Sequence, residues 1–403
     1  MTTRFRQTLC VLCACTAVAV ATTRAQIDPE ARKLLHLGYS QAVEGSGPSA
    51  AYAFYYWNMP DFPSQDQVLR LVIAPGYVDS ELGFKSLLGE NTDLGVGVFG
   101  GLFANSYEEV RGGDWIKAES FDGDGGGANV SVYHLFNPAS RIPLNGMLRG
   151  GMNYHVFRKT DDTASSFEMP DDQPFFNLRT GFRWGGKEPV LGPRLAMEIS
   201  AWYEMEYRPD NGHYGYSDDR NLKSMSHRFL GRAQLNFTMP KTEHYIMFGL
   251  MGGRVVDGDR LSAFRLGGAL PFTSEFPLYM PGYFYQELSA QSFGLMYGTY
   301  SIPLGEAKQW NIMFMAAGAV VDYSDGMQQP GDWHSGFGGG VGYTAKSRRW
   351  RVLTGYGYGV DAIRKDGRGG QNVGVLFQYN FGKTEFASDA AFEQLQNART
   401  PTR

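Results

Sequence analysis

The chain has only three cysteines, and all three lie within residues 10–15. Residues 1–25 have the order of an export signal: early arginines, a short apolar core and small residues before Gln26. A lipoprotein-type site at the cysteines is an alternative, but it would leave a stubby apolar core before it, so we expect ordinary cleavage. The exported chain then has no cysteine, which excludes disulfide bonds.

A second absence is that of long apolar runs: beyond residue 25 no segment is long enough and free enough of charge to be a membrane helix. Removing residues 1–25 also removes three arginines and no acidic residue, so the formal net charge falls from −4 to −7. Nucleic acid is not an expected partner of an acidic, exported chain. No Cys/His spacing typical of a metal site is present, and no cofactor is expected.

Glycine and aromatic residues are abundant instead, with 52 glycines and 14% Phe, Trp and Tyr. In an exported chain without a membrane helix, this composition is typical of an outer-membrane β-barrel. From residue 48 onward the sequence repeats one plan, in which a run of roughly 10–14 residues alternates in polarity and is followed by a turn or a Gly/Asp-rich loop. Runs of that length cross the hydrocarbon as tilted strands.

The alternation separates charged from apolar side chains most clearly in residues 194–208 and 225–239. In each run the charged residues share one face, and the other face is almost wholly apolar. A soluble β-sandwich also alternates, but its strands are shorter and have little reason to gather charge on one face. A barrel in lipid does, because its lumen is wet. The predicted lumen-lining residues are Glu198, Glu204, Glu206, Arg228 and Arg232.

The predicted fold is therefore all-β, a transmembrane antiparallel β-barrel of about sixteen strands that occupies residues 48–382. Residues 26–47 are expected to be a short periplasmic or lumenal segment with a short helix from Pro29, and residues 383–403 a polar tail. The strand candidates are 48–58, 66–77, 80–88, 92–104, 127–136, 143–157, 173–185, 194–207, 225–238, 243–255, 260–268, 285–301, 307–322, 333–344, 349–360 and 371–382.

A long loop lies between the predicted strands 260–268 and 285–301, and its tip reads Met280-Pro-Gly-Tyr283. Loops of this length are usually functional. In a closed barrel the loop either stands in solvent or folds back into the lumen, and this choice separates a plugged barrel from an open pore. The longest polar connections, expected on the outer side, are 106–126, 158–172 and 208–224.

The closing strand alternates like the others and is rich in aromatic residues at its end. Such a strand resembles the signal that the barrel assembly machinery reads in outer-membrane proteins. The plainer interpretation is a lipid-facing strand with an aromatic girdle. The residues of this sorting-type pattern are Asn372, Gly374, Phe377, Tyr379 and Phe381.

The order of motifs in residues 264–382 resembles the barrel of the BamA/TamA superfamily, also called bacterial surface antigen barrels. That family has the succession F-x-L-G-G, R-G-Y/F and E-Y-R-x-P-L, followed by an F-V-D-x-G strand and a Gly-rich hairpin. The rest of the chain is similar only in architecture. The residues that carry the resemblance here are Gly267, Gly268, Pro281, Gly282, Tyr283, Glu287, Pro303, Leu304, Asp322 and the run Gly336–Gly342.

The resemblance implies a role in the assembly or translocation of membrane proteins or lipids, through the lumen or a weak seam between the first and last strands. The family's loop-tip arginine is Pro281 here. A lumenal latch is therefore expected to rest on Tyr283, backbone groups and packing, and not on a buried ion pair. Because only residues 26–47 precede the first predicted strand, the family's periplasmic repeat domains are expected to be absent, and insertase activity is not implied.

Two other functions stay open. One is a passive porin-like pore lined by the charged residues above. The more distant one is a barrel hydrolase, but His134, His155 and His227 have no paired nucleophile in the sequence, so no catalytic residue and no enzyme activity are expected. The expected location is the outer membrane of a Gram-negative-type bacterium. The expected partners are its lipid and, during biogenesis, the barrel assembly machinery, with client and solute unknown.

Overall fold

The computed structural model describes residues 27–28, 30–44, 47–186, 194–268 and 276–382. In these residues sixteen long strands, each antiparallel to its neighbours, close into one barrel. The strands are β1 Arg32–Ala42, β2 Ala50–Pro60, β3 Gln67–Ala74, β4 Tyr77–Phe84, β5 Thr92–Gly101, β6 Phe121–Leu135, β7 Leu144–Lys159, β8 Gln173–Gly185, β9 Leu195–Tyr207, β10 Met225–Thr238, β11 Tyr245–Val256, β12 Leu288–Leu304, β13 Trp310–Tyr323, β14 Trp333–Thr344, β15 Trp350–Arg364 and β16 Gly367–Asn380. The minor elements are the short strands Val110–Arg111, Asp114–Trp115, His213–Tyr214, Arg220–Asn221 and Phe264–Leu266 and a 3-10 helix, Lys117–Glu119.

The barrel closes where β1 pairs with β16. Nine residue pairs join these strands, the same number as join β1 to β2. Backbone hydrogen bonds from Val43 N to Gln371 O (2.9 Å) and from Phe381 N to Lys33 O (2.8 Å) extend the pairing at both ends. The seam is therefore paired over as much length as its neighbour, and the weak seam implied by the family resemblance is not present in this closed state.

The start of the barrel corrects two sequence predictions. Residues 32–42 form β1, so the expected helix from Pro29 and the expected barrel start at residue 48 are wrong. The predicted strand 260–268 contains only Phe264–Leu266, which pairs with the beginning of β12. These two errors offset each other, and the predicted number of strands is confirmed.

The residues before β1 do reach the lumen. Ile27 packs inside the end of the barrel that has the short turns, where its side chain meets Gly83. The Asn58 side-chain amide donates hydrogen bonds to the carbonyls of Asp28 (2.8 Å) and Glu30 (2.7 Å). This part of the predicted N-terminal segment is therefore lumenal, while the tail 383–403 lies outside the described residues.

The two faces of each strand differ as the alternation predicts. On β9, Glu198 is 1% exposed inside the barrel and the adjacent Ile199 is 41% exposed on its outer surface. Because lipid accepts apolar but not charged side chains, this surface is the membrane-facing one. Large apolar side chains that are exposed on it include Val98, Phe182, Phe248, Phe314 and Phe337. No helix in the described part of the chain has the length and apolar character needed to cross a bilayer.

The long loops at the other end fold together as a cap over the lumen. The cap has its own hydrophobic core, made of five aromatic residues and one leucine: Tyr107, Phe121, Phe157, Phe167, Tyr214 and Leu222. Glu109 is fully buried beneath it and pairs with Arg260 (2.8 Å) and Arg111 (3.2 Å). The loops are thus held in place and do not extend freely into solvent.

Several titratable groups of the cap carry shifted pKa values, and Tyr107 and Glu108 are two of them. Burial raises the pKa of Tyr107 to about 12, and its hydroxyl donates to Glu109 at 2.5 Å. Burial also raises the pKa of Glu108, although the Trp115 indole N–H donates to its carboxylate at 2.7 Å. The interior of the cap is therefore shielded from water.

Candidate functional site

The loop between β11 and β12 folds into the lumen. Its described residues after the short strand are 267–268 and 276–287. Gly267 (φ 136°) and Gly268 (φ 80°) start the inward turn in backbone conformations that favour glycine, and Gly267 N donates to Leu278 O at 2.9 Å. The large apolar side chains of the loop that are buried are Phe276, Tyr279, Met280, Tyr283 and Phe284.

The descending part of the loop packs on the β8–β10 wall. The Phe276 ring lies 6.1 Å from the Trp202 ring, centroid to centroid, and the Arg232 guanidinium lies 4.5 Å from the Phe276 centroid. Tyr279 packs at 6.2 Å against Tyr297 of β12. Aromatic side chains therefore fill the space between the loop and this wall.

The tip of the loop meets the opposite wall through backbone atoms. A Cβ at Gly336 would overlap the Pro281 carbonyl, and a Cβ at Gly357 would lie 2.7 Å from Gly282 N. Gly282 has φ 83° and would itself clash with Gly359 if it carried a side chain. The glycine at position 336 of β14 therefore allows a close approach of two backbones.

Tyr283 anchors the tip. Its side chain is fully buried, with the hydroxyl 3.3 Å from His334 Nδ1 and donating to Ser335 O at 3.4 Å. The Tyr283 carbonyl accepts a hydrogen bond from the Asn372 side-chain amide at 2.9 Å. Asn372, predicted only as part of a sorting pattern, thus faces the lumen and holds the loop.

A buried ion pair completes the set of contacts that hold the loop in the lumen, and we call this set the latch. Arg364, at the end of β15, donates to the Glu287 carboxylate at 2.8 and 3.1 Å and to the Gly282 carbonyl at 3.1 Å. Its guanidinium also lies 3.7 Å from the centroid of the Phe284 ring. The prediction that no buried ion pair would hold the loop is wrong: the arginine comes from the barrel wall, and the carboxylate comes from the end of the loop.

Sequence reasoning missed Arg364 for a local reason. Along β15 the odd-numbered residues from Arg351 to Gly359 face the lumen, so strict alternation places Arg364 outside. A register shift between Gly359 and Ile363 changes the parity, and Arg364 turns inward with its side chain 8% exposed. Nothing in the sequence marks this bulge.

The predicted lumen-lining residues all face the lumen, in two groups. The deeper group is dry: Glu198 pairs with Arg232, lies 3.4 Å from Arg183 Nε and accepts from Ser200 at 3.1 Å. Its two predicted members are 1% and 3% exposed. They neutralise one another beneath Phe276 and do not line an aqueous channel.

The shallower group borders a cavity. Arg228 lies 2.6 Å from Glu206 and 3.0 Å from Glu204, and Arg179 lies 3.2 Å from Glu204 on the other side. Carboxylates of β9 are thus placed between guanidiniums of β8 and β10. The cavity has a volume of about 430 Å³ and lies between these side chains, the loop and the cap.

The other predicted residues lie apart from the latch. Pro303 and Leu304 end β12 at a short turn, and Asp322 faces outward, where it accepts from Ser292 at 3.2 Å. Phe381 is 51% exposed on the outer surface. The remaining residues of the sorting pattern are on β16: Gly374 pairs with Ser40, and Phe377 and Tyr379 pair with β1 residues Leu37 and Leu35.

The closed barrel, its apolar outer surface and its inward loop define a transmembrane β-barrel with a plugged lumen. Its fold is similar to that of solved BamA and CdiB barrels, so the resemblance predicted from the sequence is confirmed at the level of the fold. No protein-family profile matches the sequence, and neither does any curated protein.

Three solved structures illustrate the similarity. CdiB from Acinetobacter baumannii has a TM-score of 0.58 and 11% identity, over 87% of this chain and 60% of that one. CdiB from Escherichia coli has a TM-score of 0.54 and 12% identity, over 88% and 63%. BamA from Haemophilus ducreyi lacking POTRA domains 1–3 has a TM-score of 0.54 and 9% identity, over 87% and 71%. The chain therefore spans about three fifths of each CdiB chain, and at these identities the similarity shows the fold alone.

Proposed function

We propose that this protein is an outer-membrane barrel of the BamA/TamA type that takes part in the assembly or translocation of proteins or lipids. The observation that carries the proposal is the seated loop, with its tip backbone against Gly336 and Gly359 and its end held by the Glu287–Arg364 pair. A loop held against both walls of the barrel narrows the path that a passive pore needs for its solute.

The side chains that fill the lumen below the cavity also support this proposal over a passive pore. Below the cavity, Trp202, Phe276 and the Glu198–Arg232 pair occupy the space that a solute would have to cross. The charged side chains predicted to line a channel are held in ion pairs, with Arg179 and Arg183 as additional partners, and do not stand free in an open lumen. A porin-like channel would need this layer to open.

The proposal includes export with a cleaved signal peptide, insertion by the barrel assembly machinery and contact with outer-membrane lipid. It assigns no catalytic activity to the barrel, so lipase and protease assays of the purified protein are expected to stay negative. Measurable turnover in either assay would remove this part of the proposal.

Single-channel recording in planar bilayers tests the closed lumen. The purified protein is expected to show no steady conductance, or only rare openings. A large steady conductance that falls after Arg228→Glu would support the porin alternative, because Arg228 borders the cavity and its side chain is 26% exposed, whereas that of Arg232 is 1% exposed. In the source bacterium, deletion of the gene is expected to alter the outer-membrane protein or lipid profile without changing the uptake of small solutes.

A further inference from the structure

The cavity above the loop exists because one sector of the lumen wall has little side-chain volume. The lumen-facing glycines on β5 to β7 include Gly95, Gly97, Gly125, Gly127 and Gly151. The space they leave has a volume of about 430 Å³ and continues towards a second one of about 260 Å³ under the cap. Both sizes are close to or within the range of small-molecule sites, which runs from about 300 to 1,000 Å³.

Side-chain amides line this space. Asn129, Asn153 and Asn177 come from three consecutive strands, and Asn105 comes from the loop above them. Asn105, Asn153 and Asn177 also border the second cavity. Each amide offers one acceptor oxygen and two N–H donors, which is the pattern that adjacent hydroxyl groups complement.

Some of this hydrogen-bonding capacity is unused within the described protein. The side-chain oxygens of Asn129 and Asn153 and the Nε of Arg228 are buried and have no hydrogen-bond partner among the described residues. Buried polar atoms are almost always paired in folded proteins. The lining side chains Asn129, Asn153 and Arg228 thus keep hydrogen-bonding capacity that is not used within the described protein.

The charges around the cavity cancel. Arg179 and Arg228 are paired with Glu204 and Glu206, and Arg149 lies 2.7 Å from Glu81, so each guanidinium that lines the larger cavity has a carboxylate partner. Such a lining has no preference for an anion or a cation. The occupant it fits is neutral.

Aromatic rings complete the lining. Phe99, Phe264 and Phe276 border the same space as the amides. An aromatic ring offers an apolar face, whereas the amides and paired charges offer directional hydrogen bonds. Among neutral polar solutes, a sugar ring presents both an apolar face and a rim of hydroxyl groups.

We propose that this cavity is a binding site for a neutral saccharide of one or two rings, or for the end of a longer glycan. The asparagines of β6, β7 and β8 bind hydroxyl groups, the phenylalanines contact the apolar ring face, and the paired charges accept or donate the remaining hydrogen bonds. The site does not depend on the proposed role in assembly, and its test does not involve conductance.

Isothermal titration calorimetry of the full-length purified protein tests the site, in a detergent without a sugar headgroup. The probes are glucose, maltose and maltohexaose, with glucuronate and glucosamine as charged relatives. Binding of glucose or maltose, with at least tenfold weaker binding of the charged sugars, is expected. If maltohexaose binds as tightly as maltose, the occupant of the cavity is the end of a longer glycan. If maltohexaose does not bind, the occupant is a small free sugar.

Matched variants separate the cavity from the rest of the lumen. Asn153→Leu and Asn129→Leu are each expected to weaken maltose binding about tenfold, a change of about 1.4 kcal/mol that corresponds to one or two neutral hydrogen bonds. Asn145→Leu, on the lumen face of β7 but away from the cavity, is expected to stay within about twofold of the parent. Heat-modifiable migration in electrophoresis identifies correctly folded variants. The proposal is overturned if no neutral sugar binds, if glucuronate binds as tightly, or if all three variants lose affinity equally.

Discussion

Removal of the Glu287 carboxylate tests the latch most directly. The side chain is 1% exposed and accepts hydrogen bonds from Arg364 at 2.8 and 3.1 Å and from Phe284 N at 2.6 Å. Glu287→Ala leaves the Arg364 guanidinium buried without its carboxylate, a change that costs about 3–5 kcal/mol. Because Arg364 keeps its bond to the Gly282 carbonyl and its contact with Phe284, we expect the lower end, about 3 kcal/mol.

A loss of about 3 kcal/mol shifts the ratio of seated to unseated loop by about two orders of magnitude. The assay is the labelling of a thiol introduced by Met280→Cys, because Met280 is 0% exposed in the seated loop. All native cysteines lie within residues 10–15, so this is the only thiol in residues 26–403. With a membrane-impermeant maleimide, labelling is expected to be roughly 100-fold faster in the Glu287→Ala background.

Arg368→Ala is the matched control. Arg368 lies near the same end of the barrel and pairs with Asp361 at 3.5 Å, but its side chain is 56% exposed. Such a surface pair contributes at most about 1 kcal/mol, so labelling is expected to change less than about fivefold. Equal labelling rates in the Glu287→Ala and Arg368→Ala backgrounds would refute the assignment of the ion pair as a latch.

Three further predictions follow from the lumen and the cap. Gly336→Ala adds a Cβ where the loop backbone passes and is expected to displace the loop and raise the rate of labelling at Met280→Cys. Gly150→Ala is the control, because a Cβ at Gly150 meets open space and should leave this rate unchanged. Equal labelling rates in the two variants would contradict the backbone contact at Gly336. Arg232→Leu removes the close partner of the buried Glu198 carboxylate and is expected to lower the free energy of unfolding by about 3 kcal/mol. Arg228→Leu removes a partly exposed guanidinium and is expected to lower it by about 1 kcal/mol. Urea titrations that rank the two variants in the opposite order would refute this. Because burial raises the pKa of Glu108, the contribution of this group to stability is greatest at low pH and is lost as the pH rises through that pKa. Glu108→Gln is therefore expected to raise the thermal midpoint of unfolding near pH 7 but not near pH 4. An equal shift of the midpoint at both pH values would contradict a cost of burying the charged carboxylate.

The barrel could be predicted from sequence because the two-residue period is a local property. Glu198 and Ile199 are neighbours in the chain, and lipid on one side and a polar lumen on the other are enough to assign their faces. For the same reason the inward direction of Arg228 and Arg232 needed no knowledge of which strands are adjacent. The pairing of each charge did need it, because the partners of β9 carboxylates come from β8 and β10.

Features that depend on distant pairing could not be predicted. The run that forms β1 places Leu34 and Leu35 side by side after a proline, which is also a helical pattern, and its strand conformation is decided by pairing with β16. The cap depends on loops separated by more than a hundred residues, since Glu109 meets Arg260. The bulge that turns Arg364 inward could not be predicted either, because the register shift is visible only in the pairing with the neighbouring strand.

The contact between the loop tip and the β14–β15 wall is made by main-chain atoms on both sides. A side chain can change rotamer to accommodate a small displacement, but a peptide unit cannot. A small displacement of the loop tip is therefore enough to lose the fit of Gly282 against the wall. If the loop leaves the lumen, we therefore expect an all-or-none movement, because intermediate depths offer its tip no comparable set of backbone contacts.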